Sequence, residues 1–461
     1  MFTSINPATG ETVGTYEELD ADGIEAALDR AATAFKAWRN APIERRAALL
    51  NAIADQWEAN KQHLAKMAVR EMGKPIAGAI AEVEKCILGF RHYAEHGAAY
   101  LEPVRVTTPG GGHTVARWLP MGPVLAVMPW NFPYWQVVRF MAPTIMAGNV
   151  GLLKHASSVQ GCAALIQQLA SAAGAPDGVF QNLPIKSDQV SSIIADRRVV
   201  AVTLTGSEGA GTKVAQAAGR ALKKVVLELG GSDPLIVMPS ADLDAAARTA
   251  VTGRIQNAGQ SCICSKRMIV HADVYDAFMA RFTEGMKAVK IGDPMDAANQ
   301  MGPLSSVQQR DAVLEQVARA REAGATLLFG GEKIEREGAW MTPGVLVGMD
   351  PESHVAKEEI FGPVAAVYKV NDIEEAIALA NDVPYGLGSS VWTEDEAEIE
   401  RFARDIEAGM TAVNTLLSST PAAPFGGVKL SGHGRELGPW GMHEFMNLKA
   451  VMFGAPEKLG D

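Results

Sequence analysis

Cys262 stands in the stretch Asn257-Ala258-Gly259-Gln260-Ser261-Cys262-Ile263-Cys264-Ser265. Gly259, Gln260 and Ser261 leave it short of apolar neighbours on one side, so a substrate can reach it. Cysteine attacks as thiolate, and backbone N–H groups or a nearby base draw its pKa below the free value of about 8.5. The opposing reading is a buried, inert cysteine, because free cysteine is among the most buried residue types. A covalent role therefore needs a base, an oxyanion donor and an acceptor elsewhere in the chain.

The elements that must carry those parts follow from the apolar pattern. From Ile24 to Ala99 apolar residues recur at three- and four-residue steps, which predicts a helical scaffold. Val104 to Leu119 reads as a hairpin with Gly110-Gly111-Gly112 at its tip. Short apolar runs at Val124–Met128, Val150–Leu153, Val199–Leu204 and Val225–Leu229, separated by helical stretches, predict parallel strands of a doubly wound α/β sheet. In such a sheet a nucleotide belongs at the carboxyl ends of the strands. Those ends carry Pro129-Trp130-Asn131-Phe132-Pro133, Lys154-His155-Ala156-Ser157, Thr205-Gly206-Ser207 and Glu228-Leu229-Gly230-Gly231. The glycines at Gly206 to Gly211 lack the dinucleotide fingerprint, but a turn between strand and helix offers N–H groups to a pyrophosphate.

Composition excludes other classes. At 461 residues the chain exceeds one usual core, so two large domains are expected. Lys and Arg number 42 against 53 Asp and Glu, a net charge of −11 that argues against a nucleic-acid partner. Met1 to Glu11 show neither a basic nor an apolar signal region, and no apolar run nears the roughly 18 residues that span a bilayer. A cytoplasmic protein without membrane contact is expected. Its four cysteines fit neither a disulfide framework nor a zinc site, so no metal is expected.

Six motifs in order, Pro129-Trp130-Asn131-Phe132-Pro133, Thr205-Gly206-Ser207, Leu227-Glu228-Leu229-Gly230-Gly231, Gly259-Gln260-Ser261-Cys262, Glu359-Ile360-Phe361-Gly362-Pro363 and Pro424-Phe425-Gly426-Gly427, resemble the aldehyde dehydrogenase superfamily. The resemblance begins at Asn6-Pro7-Ala8-Thr9-Gly10 and covers nearly the whole chain; within the superfamily the chain looks most like bacterial succinate-semialdehyde dehydrogenases. It implies a Rossmann-like cofactor domain (1–103 and 120–229), an α/β catalytic domain (230–430) and an oligomerisation element (104–119 and 443–456) that joins a homodimer or homotetramer.

The resemblance also implies roles. Oxidising an aldehyde with a nicotinamide requires a tetrahedral carbon from which hydride leaves, and Cys262 would form it as a thiohemiacetal. Asn131 would stabilise the oxyanion, and Glu228 would activate the water that hydrolyses the thioester. Taken alone, Asn131 reads equally as a turn former and Glu228 as a helix-capping carboxylate. Trp130, Lys154, Ser157, Gly206, Ser207, Leu229, Glu359 and Phe361 would hold NADP or NAD. Many NAD-specific members carry a glutamate where this chain has Ser157; its loss removes a repulsion of roughly 4 kcal/mol at about 4 Å and an effective dielectric near 20, so NADP should be accepted.

Arg139 would meet the carboxylate of a short semialdehyde, with Ser418 or Ser419 as extra donors and Gln256 where some relatives place a second arginine. The alternative is that Arg139 pairs with an internal acid. Cys264 stands where some succinate-semialdehyde dehydrogenases form a regulatory disulfide with the nucleophile; the alternative is a small apolar neighbour. Three other functions stay open: a dehydrogenase for another short aldehyde, a CoA-acylating enzyme, disfavoured by Glu228, and a non-catalytic nucleotide-binding protein on the same fold.

Overall fold

A computed structural model of the chain describes residues 1–107 and 112–454. The helical stretch near the start resolves into four helices, Ala21–Trp38, Ile43–Ala59, Lys61–Met72 and Ile76–Tyr100. Asp20 caps the first by accepting from Gly23 N–H, and Gly73, in the left-handed region at φ 77°, stops the third. These helices pack on a sheet of six strands in the order Gly432–His433, Lys224–Glu228, Ala201–Thr205, Pro123–Met128, Val150–His155, Phe180–Asn182. The five strands from Lys224–Glu228 to Phe180–Asn182 are parallel, and Gly432–His433 joins one edge antiparallel.

Chain order reverses between Pro123–Met128 and Ala201–Thr205, which flank one another in the sheet although two other strands lie between them in sequence. Such a switch point opens a crevice at the carboxyl ends of the strands. The four expected strands form to within two residues at each end. Phe180–Asn182 is an addition; three residues are too short for a periodic signal.

A second sheet, of seven strands, runs Thr326–Phe329, Gly344–Val347, Val364–Val370, Arg267–His271, Pro234–Val237, Gly388–Trp392, Met410–Val413. All its pairs are parallel except the first, and its interior strands are buried on both faces. The expected hairpin forms as Val104–Thr107 against His113–Pro120, and Met446–Phe453 adds a third antiparallel strand. Of the expected tip, Gly110 and Gly111 lie outside the described residues. Among the described residues no helix is long and apolar enough to cross a membrane.

Candidate active site

The loop before Cys262 is held in an unusual shape. Asn257, Ala258 and Gly259 all sit at positive φ (55°, 54° and 74°), a conformation that costs non-glycine residues about 1–3 kcal/mol each and persists only where neighbours enforce it. A Cβ on Gly259 would fall 2.2 Å from the Gly362 carbonyl oxygen, so glycine is required twice over. Buried cations supply the enforcement. Arg254 donates to the Gly259 carbonyl (2.8 Å), and Lys266 Nζ donates to the carbonyls of Ser261 (2.9 Å) and Cys262 (2.7 Å).

Two recesses meet at Cys262. The first, of about 290 Å³, lies at the switch point and is lined by Trp130, Asn131, Gly206, Ser207, Leu229, Glu359 and Phe361 among others. The second is a narrow channel of about 70 Å³ that runs past Arg139, Gln256, Ser418 and Ser419. Thus the structure brings Cys262 and Asn131 together with six of the eight residues expected to hold a dinucleotide. Lys154 and Ser157 stand beyond the first recess, at the end of Val150–His155 and the start of a short 3₁₀ turn; Lys154 is buried and Ser157 exposed.

Local bonds fix the donors. Asn131 Nδ2 donates to the Gln260 carbonyl (3.1 Å), and the Asn131 carbonyl accepts from Asn257 Nδ2 (2.7 Å), which ties the loop after the first strand to the nucleophile loop. His155 bonds the Pro133 carbonyl through Nε2 (2.8 Å) and accepts from Ala156 N–H at Nδ1. Burial draws this imidazole down to about 4, so it is a neutral strut at ordinary pH. Ser207 caps the helix Glu208–Arg220, whose N-terminus faces the switch point.

These residues fit a nicotinamide dinucleotide. Glu359 Oε1 lies 3.0 Å from Lys266 Nζ, and the further lone pairs of the carboxylate leave acceptor capacity for a ribose hydroxyl. Trp130 and Phe361 meet edge to face, centroids 5.8 Å apart, and wall the space between them and Cys262.

Burial pushes the Cys262 thiol up to about 12, against the pull of Arg139 and Lys266, so the resting group is a thiol and not a thiolate. Cys262 and Cys264 are both free. Cys264 is buried and directs its Sγ toward the Gln256 carbonyl, 3.7 Å away.

Glu228 borders neither recess. It is buried behind them, both carboxyl oxygens lack hydrogen-bond partners, and a Cβ on Gly426 would lie 2.5 Å from its Oε1. Burial first, then the nearby Glu436 carboxylate, raises its pKa well above the carboxylate range. In this arrangement its carboxyl group does not line the space beside Cys262.

Arg139 lies in the channel wall, but its charge meets an internal acid, the alternative weighed for it from sequence. Its Nε is 2.7 Å from Glu436 Oε2, both side chains are buried, Nη2 donates to Gln136, and the guanidinium covers the Phe425 ring at 4.3 Å. The sequence offered no sign of Glu436, nearly three hundred residues away. Lys266, Gln309 and Lys85 were missed for the same reason. Lys266 follows the nucleophile by one helical turn's worth of chain without being helical, Gln309 enters the first recess from another element, and Lys85 read as one more charge on a scaffold helix.

A sequence model of the Aldehyde dehydrogenase family matches residues 1–451. The chain is 50% identical over 452 residues to succinate-semialdehyde dehydrogenase [NADP(+)] 1 of Mycobacterium tuberculosis, an alignment that covers 98% of this chain and 99% of that one. Its structure is similar to that of succinic semialdehyde dehydrogenase from Streptococcus pyogenes in complex with NADP+, with a TM-score of 0.96 at 39% identity, covering 98% of this chain and all (100%) of the other. Succinate-semialdehyde dehydrogenase from Burkholderia pseudomallei superposes with a TM-score of 0.95 at 34% identity, covering 98% and 94%.

Proposed function

Because the chain belongs to the aldehyde dehydrogenase family, we propose that it oxidises succinate semialdehyde to succinate with NADP, through a thioester on Cys262. The observation that carries this reading is a thiol at the junction of a recess lined by six of the residues expected to hold a dinucleotide and a narrow channel whose wall bears hydroxyls and cations.

Cys262 gives its proton up to solvent water as its sulfur bonds the aldehyde carbon, making a thiohemiacetal oxyanion. The oxyanion formed lies toward the Asn131 amide, whose position is fixed by its bond to the Gln260 carbonyl and by Asn257 Nδ2 donating to the Asn131 carbonyl. When bound, the nicotinamide accepts the hydride that leaves as the carbon–oxygen double bond re-forms. Phe361 and Trp130 would wall that ring, Glu359 would accept from the hydroxyls of its ribose, Gly206 and Ser207 with the adjoining helix end would meet the pyrophosphate, and Leu229 would line the same recess. Lys154 and Ser157 would take the adenosine ribose, where a hydroxyl and an ammonium suit a 2′-phosphate. Glu228, swung forward from its buried position, then draws a proton from water as the water oxygen attacks the thioester carbon; the C–S bond breaks and Glu228 passes that proton to the Cys262 sulfur. A carboxylate with a raised pKa is a stronger base than an ordinary one once ionised, so this step quickens as pH rises.

We assign 1–103 with 120–229 to cofactor binding, 230–430 to catalysis, and the segments 104–119 and 443–456, which carry the three-stranded sheet, to the joining of two or four copies, in the cytoplasm. Val104, Val106, Leu448, Met452 and Phe453 leave exposed apolar surface on that sheet, which supports the last assignment. The test of the substrate is a set of initial rates with aldehydes of equal length and different terminal charge, each with NADP and with NAD. Succinate semialdehyde with NADP should show the highest kcat/KM; equal efficiency for butanal would refute the assignment.

A further inference from the structure

Among the buried cations around the channel and the nucleophile loop, Arg254 is spent on the Gly259 and Ser265 carbonyls, and Arg139, Lys74 and Lys266 each have an acid in contact: Glu436, Glu82 and Glu359. Lys85 does not. It projects from the helix Ile76–Tyr100 into the channel, and no carboxylate lies within ion-pair distance of it among the described residues. Its Nζ donates to Ser419 Oγ at 2.9 Å, approaches Ser418 Oγ at 3.4 Å, and sits 4.8 Å from the centre of the Trp135 ring.

The hydroxyls point to what is missing. Ser419 Oγ accepts from Lys85 and also from Trp135 Nε1 (2.9 Å). A hydroxyl offers two acceptor sites and one donor, so with both acceptor sites used the Ser419 O–H can only donate. An ammonium and a hydroxyl proton in one wall, the ammonium without an acid, form a receptor for an anion.

We propose that Lys85, with Ser419, receives the far-end carboxylate of the aldehyde, and that Arg139 shapes the channel with its charge held by Glu436. This rests on the semialdehyde reading above. Burial, with the Arg139 charge adding to it, draws the Lys85 ammonium down to about 8, so an arriving carboxylate restores what desolvation took away. The other groups facing Lys85 are Glu82, committed to Lys74, and Cys86, whose thiol is pushed up by burial. Neither competes for the ammonium near neutral pH.

The test compares kcat/KM for succinate semialdehyde and for butanal in wild type, Lys85→Met, Lys85→Gln and Lys85→Arg, with NADP saturating. In the first two variants the ratio of succinate semialdehyde to butanal should fall about 30- to 100-fold, the cost of removing one member of a desolvated charge pair, chiefly through KM for the anionic substrate. Lys85→Arg should keep most of the wild-type ratio. In wild type KM for succinate semialdehyde should climb as pH rises above about 8, while Lys85→Arg holds it level. A wild type that strongly prefers succinate semialdehyde, with that preference intact in both Lys85→Met and Lys85→Gln, overturns the Lys85 assignment and leaves the substrate standing. A wild type with no preference refutes the substrate and the assignment with it.

Discussion

The two recesses that meet at Cys262 hold their charges differently. On the cofactor side the Glu359 carboxylate already faces Lys266, and what remains for a ligand is acceptor capacity, backbone and a helix end. On the aldehyde side one cation, Arg139, is spent on Glu436, and another, Lys85, is not. A paired buried charge sets the form of a wall, because removing its partner is what costs; an unpaired one discriminates between ligands. Identity alone does not tell the two apart, for an arginine in a tunnel looks from sequence like the better receptor.

The comparison is broken most sharply at Arg139. Replacing it by leucine strands Glu436 in a buried site, and breaking such a pair costs about 3–5 kcal/mol. Arg139→Leu should therefore lower the midpoint of denaturant unfolding and reduce kcat/KM for succinate semialdehyde and butanal alike, and adding Glu436→Gln should restore part of the stability. An unchanged midpoint with a loss confined to the anionic substrate would make Arg139 the receptor.

A smaller effect sharpens the cofactor side. Ser157→Glu places a carboxylate at the exposed end of the Lys154 strand, where it faces a 2′-phosphate. Unit charges about 4 Å apart cost roughly 4 kcal/mol at an effective dielectric near 20, and exposure lessens that, so efficiency with NADP should drop about 100-fold while that with NAD holds or improves. Equal losses with both would place Ser157 outside the ribose site.

The least effect is expected at Cys264. If its thiol guards the nucleophile as a disulfide partner, Cys264→Ala should recover less activity on reduction after mild peroxide than wild type does, because a lone Cys262 oxidises further. Equal recovery would leave Cys264 as the buried packing residue it is in the reduced protein.

What the sequence disclosed depended on the range of each contact. Val124–Met128 and the runs like it announced parallel strands because a strand buried on both faces must be apolar throughout. Cys262 and Asn131 were legible because loop polarity and strand-end position mark them locally. The state of each charge was not legible. Arg139 meets an acid from a strand-edge loop near the end of the chain, Lys85 meets serines more than three hundred residues on, and Glu228 is buried outside both recesses. No local pattern encodes a pairing between residues that the fold alone brings together.

The central claim is a thioester on Cys262 that Glu228 helps water to break. Glu228→Gln, mixed rapidly with succinate semialdehyde and NADP, should give a burst of NADPH close to one equivalent per active site, followed by slow turnover, and mass spectrometry of the quenched protein should find a succinyl group on the peptide that carries Cys262. Steady NADPH formation without a burst, and with Cys262 unmodified, would contradict it.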